Sequence, residues 1–275
     1  MSSRVSIVTG ATGKIGKVVA EEIARQGKHL IIACRSLAKS KVLLGELKSA
    51  HPHSTIESIM LDLADKRSIN KFAEIIEQKC YIVNELVCNA GVLCQYESQS
   101  KEEVDMSMAV NYLGNVRLIE RLQRSLAHDA KILNMVSSIR WGTISGDPFH
   151  PEEKFNRFRR YASSKLALYA YTQHLARKYD NSSISVYAVD PGIVNTVMIT
   201  KGKWFEGIAD IFLSPFVRTP EKGAETALYL LTNRPQTTGM VYHDCKIEQF
   251  PADMYTKEEW SQLWDNTQKY LAENI

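Results

Sequence analysis

A tyrosine and a lysine four residues apart, Tyr161 and Lys165, are the residues of this sequence best placed for proton chemistry. The apolar pattern that follows them predicts a helix, on which a spacing of four puts both side chains on one face. A free phenol with a pKa of about 10 rarely ionises at neutral pH, and an ammonium group one turn away favours its phenolate. Such a pair can deliver a proton to a carbonyl oxygen and take it back in the reverse reaction.

The same spacing occurs a second time, at Tyr242 and Lys246, so the pattern alone is weak. This second copy follows an apolar run that predicts a strand rather than a helix. We interpret it as structural.

A glycine-rich segment follows the first apolar run and precedes a helical pattern. It reads Thr9-Gly10-Ala11-Thr12-Gly13-Lys14-Ile15-Gly16. Glycines let the backbone turn sharply and approach a pyrophosphate, and the helix that follows presents free N–H groups to it. Any tight turn between a strand and a helix could use these glycines, but this context favours a dinucleotide site.

The end of the second predicted strand carries Cys34-Arg35-Ser36, where enzymes specific for NAD place an acid. An arginine offers a planar charged fork to a 2′-phosphate, whereas an acid would repel it. We therefore predict NADP(H) as the cofactor, with Lys14 and Lys39 as further sources of positive charge. The alternative is that Arg35 only ends a loop in solvent.

Short apolar runs rich in Val and Ile alternate with amphipathic segments along the whole chain. These runs lack polar alternation, as strands covered on both faces should, and residues 17–26 and 70–79 are typical of the helices between them. Strand–helix alternation without a linker predicts a single-domain α/β Rossmann fold over residues 1–275, with a doubly wound, mostly parallel sheet and helices on both faces. The predicted strands are Val5–Val8, Leu30–Cys34, Ile56–Leu61, Ile82–Cys88, Ile132–Val136 and Ile184–Val189.

Composition argues against several classes of partner. A net charge of +3 is too small for a nucleic-acid-binding protein, which normally has a clustered basic face. The five cysteines have no metal-ligand spacing, so we expect no metal and reduced thiols, with Cys34 and Cys88 buried. No run approaches the roughly 20 apolar residues of a membrane span, and only Met1 to Arg4 precede the first strand. We expect a cytoplasmic protein without a membrane span.

Further motifs make the chain resemble the short-chain dehydrogenase/reductase family. They lie in the family's order and on the expected elements, and together they extend along the whole chain. They are Asp62 in Leu61-Asp62-Leu63, Cys88-Asn89-Ala90-Gly91, Val110-Asn111-Tyr112-Leu113-Gly114, Ser137-Ser138, Tyr161 with Lys165, and Asp190-Pro191-Gly192 with Thr196.

The resemblance implies a role for each catalytic residue. Tyr161 would donate the proton in reduction and accept it in oxidation, while Lys165 would lower the pKa of Tyr161 and hold the nicotinamide ribose. Ser138 would hydrogen-bond the substrate oxygen, and Asn111 would position a water that links Lys165 to solvent. The cofactor-binding residues would be Thr9, Gly10, Thr12, Gly13, Lys14, Ile15, Gly16, Arg35, Asp62, Leu63, Asn89, Ala90, Gly91, Tyr161, Lys165, Pro191, Gly192 and Thr196.

Within the family the chain is similar to the retinol dehydrogenase branch. The shared features are Arg35, the long interval from Ser138 to Tyr161, Ser164-Lys165-Leu166-Ala167 and the late Tyr242-His243-Asp244-Cys245-Lys246. Two departures are visible. The glycine spacing is that of the family's longer epimerase-like members, with Lys14 where a glycine is usual. We also expect no N-terminal membrane anchor of the kind that many retinol dehydrogenases carry.

Substrate and assembly are less constrained. The strongly apolar segment 197–218 matches the part that covers the substrate in the family, which fits either a lipophilic retinoid-, steroid- or aromatic-carbonyl-like substrate or ordinary helix packing. Segment 139–160 adds aromatic and arginine side chains whose role stays open. The resemblance also implies a homodimer or homotetramer paired through the helices that bear Asn111 and Tyr161. Two alternatives to a carbonyl reductase or alcohol dehydrogenase are an NADP(H)-sensing regulator without turnover and a sugar-nucleotide epimerase.

Overall fold

A computed structural model describes residues 3–137, 139–194, 218–251 and 253–272 of the chain. The strands are β1 (Arg4–Thr9), β2 (His29–Cys34), β3 (Ile56–Met60), β4 (Ile82–Cys88), β5 (Leu126–Met135), β6 (Ser185–Val189), β7 (Val241–His243) and β8 (Lys246–Glu248). The helices are α1 (Lys14–Arg25), α2 (Leu37–Ala50), α3 (Lys66–Gln78), α4 (Met106–Met108), α5 (Gly114–Leu122), α6 (Arg157–Lys178), α7 (Pro220–Thr232) and α8 (Lys257–Ala272).

The strands form one sheet in the order β3-β2-β1-β4-β5-β6-β7-β8. Neighbouring strands are parallel except for the last pair, β7 and β8, which is antiparallel. The strand order reverses beside β1, and in open sheets of this kind ligands bind in the crevice at the carboxyl ends of the strands at that point. The predicted single-domain Rossmann fold is confirmed.

Both faces of the sheet are covered by helices, as the apolar runs predicted. Neighbouring residues of β1 point to opposite sides, so that Ile7 joins one apolar cluster and Val8 the other. The first cluster includes side chains of α3, α5 and α6, and the second includes side chains of α1, α2 and α7. The predicted burial of Cys34 and Cys88 is also confirmed, at 5% and 0% exposed.

A π-helical turn, Ala109–Leu113, joins α4 to α5 and contains Asn111. Gly114, the next residue, packs tightly against the loop after β3. A Cβ on it would overlap the main-chain oxygen of Leu63. A side chain at this position would push the helix away from the loop after β3. Turns of this type inside helices are frequent at functional sites.

Helix α6 is fixed at its start and along its first turns. Asn156 caps it by accepting hydrogen bonds from the main-chain N–H groups of Phe158 and Arg159, both at 3.1 Å. A short 3₁₀ turn, Ile139–Trp141, then leads to Gly142, whose Cβ would lie 2.5 Å from the Ala162 carbonyl oxygen. The loop after β5 is therefore held close against the helix that carries Tyr161.

The second tyrosine–lysine pair lies in the last part of the chain, where the sequence predicted a strand. Tyr242 lies in β7 and Lys246 in β8, so the second tyrosine–lysine pair belongs to a hairpin and not to one helix face. Tyr242 is 3% exposed, and its hydroxyl donates to the Thr237 carbonyl at 2.8 Å. Its structural interpretation fits these contacts. Among the described residues, no helix combines the length and the apolar character needed to cross a bilayer.

Candidate active site

Tyr161 and Lys165 lie on one face of α6, as their spacing predicted. The Lys165 Nζ is 5.7 Å from the centre of the Tyr161 ring and donates a hydrogen bond to the Met135 carbonyl oxygen at 2.7 Å. Met135 is the last residue of β5, so the lysine reaches from the helix to the carboxyl edge of the sheet. At 3% exposed, Lys165 is buried, whereas Tyr161 is partly accessible.

The protonation of this pair differs from the expectation. Burial raises the pKa of Tyr161 to about 12, the nearby Asp190 carboxylate adds to the rise, and a hydrogen bond with the Ser137 side chain opposes it. Burial also lowers the pKa of Lys165 to about 8, against the raising effect of Cys88 and Asp190. The expected lowering of the Tyr161 pKa by Lys165 is thus not found among the protein's own groups. Tyr161 carries its proton at neutral pH.

Asn111 is tied to the neighbouring loop and to the catalytic helix. Its Oδ1 accepts from the Val92 N–H at 2.7 Å, while its Nδ2 donates to the Val92 carbonyl and to the Ser164 Oγ, both at 2.9 Å. The Ser164 hydroxyl in turn donates to the Tyr161 carbonyl at 2.7 Å. The Asn111 side chain therefore fixes α6 relative to the π-helical turn. Its predicted water-positioning role stays a prediction.

Gly91 leaves the space that brings the asparagine and the lysine together. A Cβ at this position would lie 3.2 Å from both the Asn111 Oδ1 and the Lys165 Nζ. Because these are buried polar atoms held by hydrogen bonds, they have little freedom to move aside. A side chain in place of Gly91 would therefore press on two polar groups of the predicted catalytic residues.

The glycine-rich turn after β1 packs directly against the loop after β4. Gly10 adopts a φ of +63°, and a Cβ on it would lie 2.8 Å from the Ala90 Cα. Asn89 Nδ2 donates to the carbonyl oxygens of Thr9 and Gly10 at 3.0 and 3.2 Å, and the Ala90 N–H donates to the Thr9 Oγ1 at 3.0 Å. Several predicted cofactor residues thus act first by holding two loops together.

The start of α1 has the properties of a phosphate-binding helix terminus. Its cap residue, Gly13, supplies no side-chain hydrogen bond, and Gly13 and Lys14 are exposed. A Cβ on Gly16 would lie 2.5 Å from the Gly10 carbonyl oxygen and 2.6 Å from the Asn89 Nδ2, so only glycine fits there. The uncapped N–H groups, the close backbone packing and the exposed lysine fit a dinucleotide pyrophosphate.

The residues predicted for the adenosine end lie at the ends of β2 and β3. Arg35 is exposed directly after β2, and within the described ranges its guanidinium has no hydrogen bond or ion pair. Asp62 Oδ1 accepts from the Ala64 N–H at 3.0 Å, and the Asp62 N–H donates to the Ser68 Oγ at 2.9 Å, which shapes the loop after β3. Leu63 is buried and lies against Gly114 at the start of α5.

The segment after β6 is held by its own aspartate and by an arginine. Asp190 Oδ1 accepts from the Gly192 N–H at 2.8 Å, and Gly192 has a φ of +71°. The Arg218 N–H donates to the Ile193 carbonyl at 2.8 Å, and its guanidinium binds Asp244 at 2.6 Å. This fixes the predicted nicotinamide-binding Pro191-Gly192 turn at the sheet edge. Ser138, Thr196 and the apolar segment 197–218, apart from Arg218, lie outside the described residues.

Sequence reasoning did not single out a group of possible metal ligands beside this turn. Within the described ranges, ligand atoms of Asp190, His243 and Glu248 lie within 4.8 Å of one another. Two arginines already bind this group: Arg218 Nη2 lies 2.9 Å from the His243 Nε2, and Arg140 Nη2 lies 3.1 Å from the Glu248 Oε1. Guanidinium groups thus supply the positive charge that these carboxylates face.

Three functional side chains were missed or given no role in the prediction. Ser137 hydrogen-bonds Tyr161, Ser164 links Asn111 to α6, and Asp190 acts electrostatically on both Tyr161 and Lys165. Each stands within a motif that the sequence does display. Their polar character within otherwise apolar or helical stretches was the available signal, but their direction depends on the tertiary structure.

Comparison with known proteins gives consistent matches. The family model described as short chain dehydrogenase matches residues 4–204. The human protein named retinol dehydrogenase 11 is 32% identical over 274 residues, which cover 96% of this chain and 85% of that protein. Human polyprenol dehydrogenase is 29% identical over 277 residues, with 96% and 85% covered. A blue fluorescent protein from a metagenomic library, solved with NADPH, has a TM-score of 0.68 at 24% identity and covers 87% of this chain and 95% of its own.

Proposed function

Since the chain belongs to the short-chain dehydrogenase family, we propose that it is an NADP(H)-dependent enzyme that interconverts a lipophilic alcohol and its carbonyl compound. Family membership itself establishes the coarser statement, an oxidoreductase of alcohols or carbonyl compounds that uses a nicotinamide cofactor. The retinol dehydrogenase-like relatives place it in that branch of the family. The choice of NADP(H) and the lipophilic substrate are our proposals.

The arrangement of Tyr161 and Lys165 carries the catalytic part. At neutral pH the Tyr161 hydroxyl is protonated, because burial and Asp190 raise its pKa. It can therefore donate that proton to a carbonyl oxygen placed beside it, which is the step that reduction requires. When bound, the cofactor supplies or accepts the hydride, and its oxidised form adds a positive charge that favours the Tyr161 phenolate.

Lys165 has a distinct part in this arrangement. Its ammonium is buried at the end of β5, where one main-chain carbonyl accepts a hydrogen bond from it. Because an ammonium has three N–H donors, others remain for the ribose hydroxyls of a bound dinucleotide.

The proposal of NADP(H) is supported by Arg35. This exposed guanidinium follows β2 directly, where an acid would repel a 2′-phosphate. Its bidentate fork matches the geometry of phosphate oxygens. The NADPH complex of the structural neighbour is consistent with the same choice, although that likeness by itself concerns only the fold.

The proposal of a lipophilic substrate is supported by the names of the relatives. Retinol and polyprenol, for which two of them are named, are both apolar isoprenoid alcohols. The cytoplasmic location stays a prediction, which fractionation of expressing cells would test.

A reductase assay with matched tyrosine variants tests the proposal. Purified protein is incubated with NADPH or NADH and with retinal, a steroid ketone or a small aromatic aldehyde. We expect NADPH-dependent reduction of the more lipophilic carbonyls, and a rate on the order of 10² to 10⁴ times lower for Tyr161→Phe. Tyr242→Phe is the control, because its hydroxyl donates to the Thr237 carbonyl. NADPH binding without turnover of any of these carbonyls would favour the regulatory alternative.

A further inference from the structure

Helix α8 packs against the two helices that frame the active site. Its inward-facing residues Leu263 and Thr267 are 1% and 0% exposed. Side chains and main chain of α8 contact a surface that we call the α8-binding face, which consists of Tyr112 in the π-helical turn, Arg117 in α5, and Tyr171 and His174 in α6.

Aromatic rings form most of this contact. The Trp264 ring lies 4.5 Å from the His174 ring and 5.7 Å from the Tyr171 ring, centre to centre. Trp260 stacks on Trp264 at 5.5 Å and also reaches His174 at 5.4 Å. Rings at these separations bury large apolar areas and add favourable ring–ring interactions.

Polar groups fix the position of the helix. The Tyr112 hydroxyl and the Thr267 Oγ1 are 2.8 Å apart. The Arg117 guanidinium donates to the Tyr270 carbonyl at 2.9 Å. Its two terminal nitrogens also pair with the two carboxylate oxygens of Glu102. The Tyr112 hydroxyl and the terminal nitrogens of Arg117 therefore have acceptors on α8 or on the adjacent loop, as buried donors usually do.

We propose that this chain is a monomer in which α8 occupies the face through which two copies would otherwise pair. The pairing implied by the resemblance uses the helices of Asn111 and Tyr161, and these helices carry the α8-binding face. Such pairing would require α8 to leave that face. The rings of Tyr112 and Tyr171, both 0% exposed, would then have to be covered again by the second copy.

The outer side of α8 does not offer a replacement interface. Apart from Ala272 at its end, its exposed residues are polar or charged: Lys257, Glu258, Ser261, Gln262, Asp265, Gln268 and Lys269. The buried centres of protein interfaces are depleted of charged residues, in particular Lys, Glu and Asp, and enriched in aromatic ones. With its apolar side turned inward, α8 presents a solvated surface to a second copy.

Light scattering of the unmodified chain tests this directly. We expect a mass near 31.1 kDa from 1 to 100 µM. A stable particle of twice that mass at these concentrations would overturn the proposal, whichever face it used. The measurement requires no substrate, so it is independent of the proposed function.

A pair of variants tests the part played by α8. Leu263→Glu places a charge in the contact, whereas Gln262→Glu adds the same charge on the exposed side. We expect the first variant to expose the α8-binding face and to reach the dimer mass as its concentration rises, while the control stays monomeric. A folded Leu263→Glu protein, checked by circular dichroism, that stays monomeric at every concentration would contradict the role given to α8. If this variant unfolds, the mass of the unmodified chain decides whether the proposal of a monomer holds.

Discussion

Replacing Lys165 with methionine is expected to stabilise the fold at pH 7 while it removes the catalytic ammonium. Burial lowers the pKa of Lys165 from 10.5 to about 8. Since one pKa unit corresponds to about 1.4 kcal/mol, the charged form is disfavoured in the native chain by about 3 kcal/mol. Methionine cannot make the hydrogen bond to the Met135 carbonyl, and leaving this one buried acceptor unpaired costs about 1–3 kcal/mol. The variant should therefore be more stable by up to about 2 kcal/mol.

The pH dependence of this gain follows from the same shift. Between pH 8 and 10.5 the unfolded chain holds more protons at Lys165 than the native chain does. The free energy of unfolding of the unmodified protein therefore rises with pH through this window, as far as this group is concerned. The Lys165→Met variant lacks that rise, so its advantage should be full at pH 7 and shrink by pH 10.

A second buried lysine provides the control. Burial also lowers the pKa of Lys131 to about 8, but its Nζ donates to three carbonyl oxygens at or just after the end of α7. Leaving those acceptors unpaired costs about 1–3 kcal/mol each, which outweighs the roughly 3 kcal/mol released with the charge. Lys131→Met should therefore be destabilised. Urea unfolding at pH 7 and pH 10 measures all three proteins, and a Lys165→Met protein less stable than the parent at pH 7 would refute the reasoning.

Three further outcomes follow from the site. Arg35→Ala should weaken NADPH binding at least tenfold, about 1.4 kcal/mol, with little effect on NADH, while Lys48→Ala on exposed α2 should change neither in a fluorescence titration. Asp190→Asn keeps an acceptor for the Gly192 N–H but removes a charge that raises the pKa of Tyr161, so the rise of alcohol oxidation with pH should move to lower pH. A profile that stays in place would contradict the role given to this carboxylate. Gly16→Ala should abolish measurable NADPH binding, because its Cβ would meet the Gly10 carbonyl, whereas Gly45→Ala has open space and should bind normally.

Much of the fold was predictable because its central strands are apolar on both faces. The predicted run 132–136 marks only the second half of β5, which begins at Leu126. The part of the strand before this run contains His128, Asp129 and Lys131, which hide the strand from a hydropathy pattern. Lys131 is buried there only because the end of α7 supplies acceptors for its ammonium, and that contact is tertiary.

The candidate site was predictable where spacing determines geometry and not where the geometry depends on packing. A four-residue interval on a helix was enough to bring Tyr161 and Lys165 together. The protonation of the pair depends on burial and on Asp190, which no local pattern shows. Helix α8 did leave a signal, since Trp260, Leu263, Trp264 and Thr267 follow the spacing of one helix face. That spacing predicts a buried face but not which surface covers it.

The covalent attachment of α8 gives it an advantage that a second copy cannot match by contacts alone. A covalently tethered segment meets its own binding face at an effective concentration on the order of millimolar. A second copy at micromolar concentration therefore competes at a disadvantage of roughly a thousandfold, about 4 kcal/mol. Dilution removes a partner subunit but leaves this helix in place. The helices around Tyr161 and Asn111 should accordingly be as well supported at nanomolar as at micromolar protein, and specific activity should not fall on dilution.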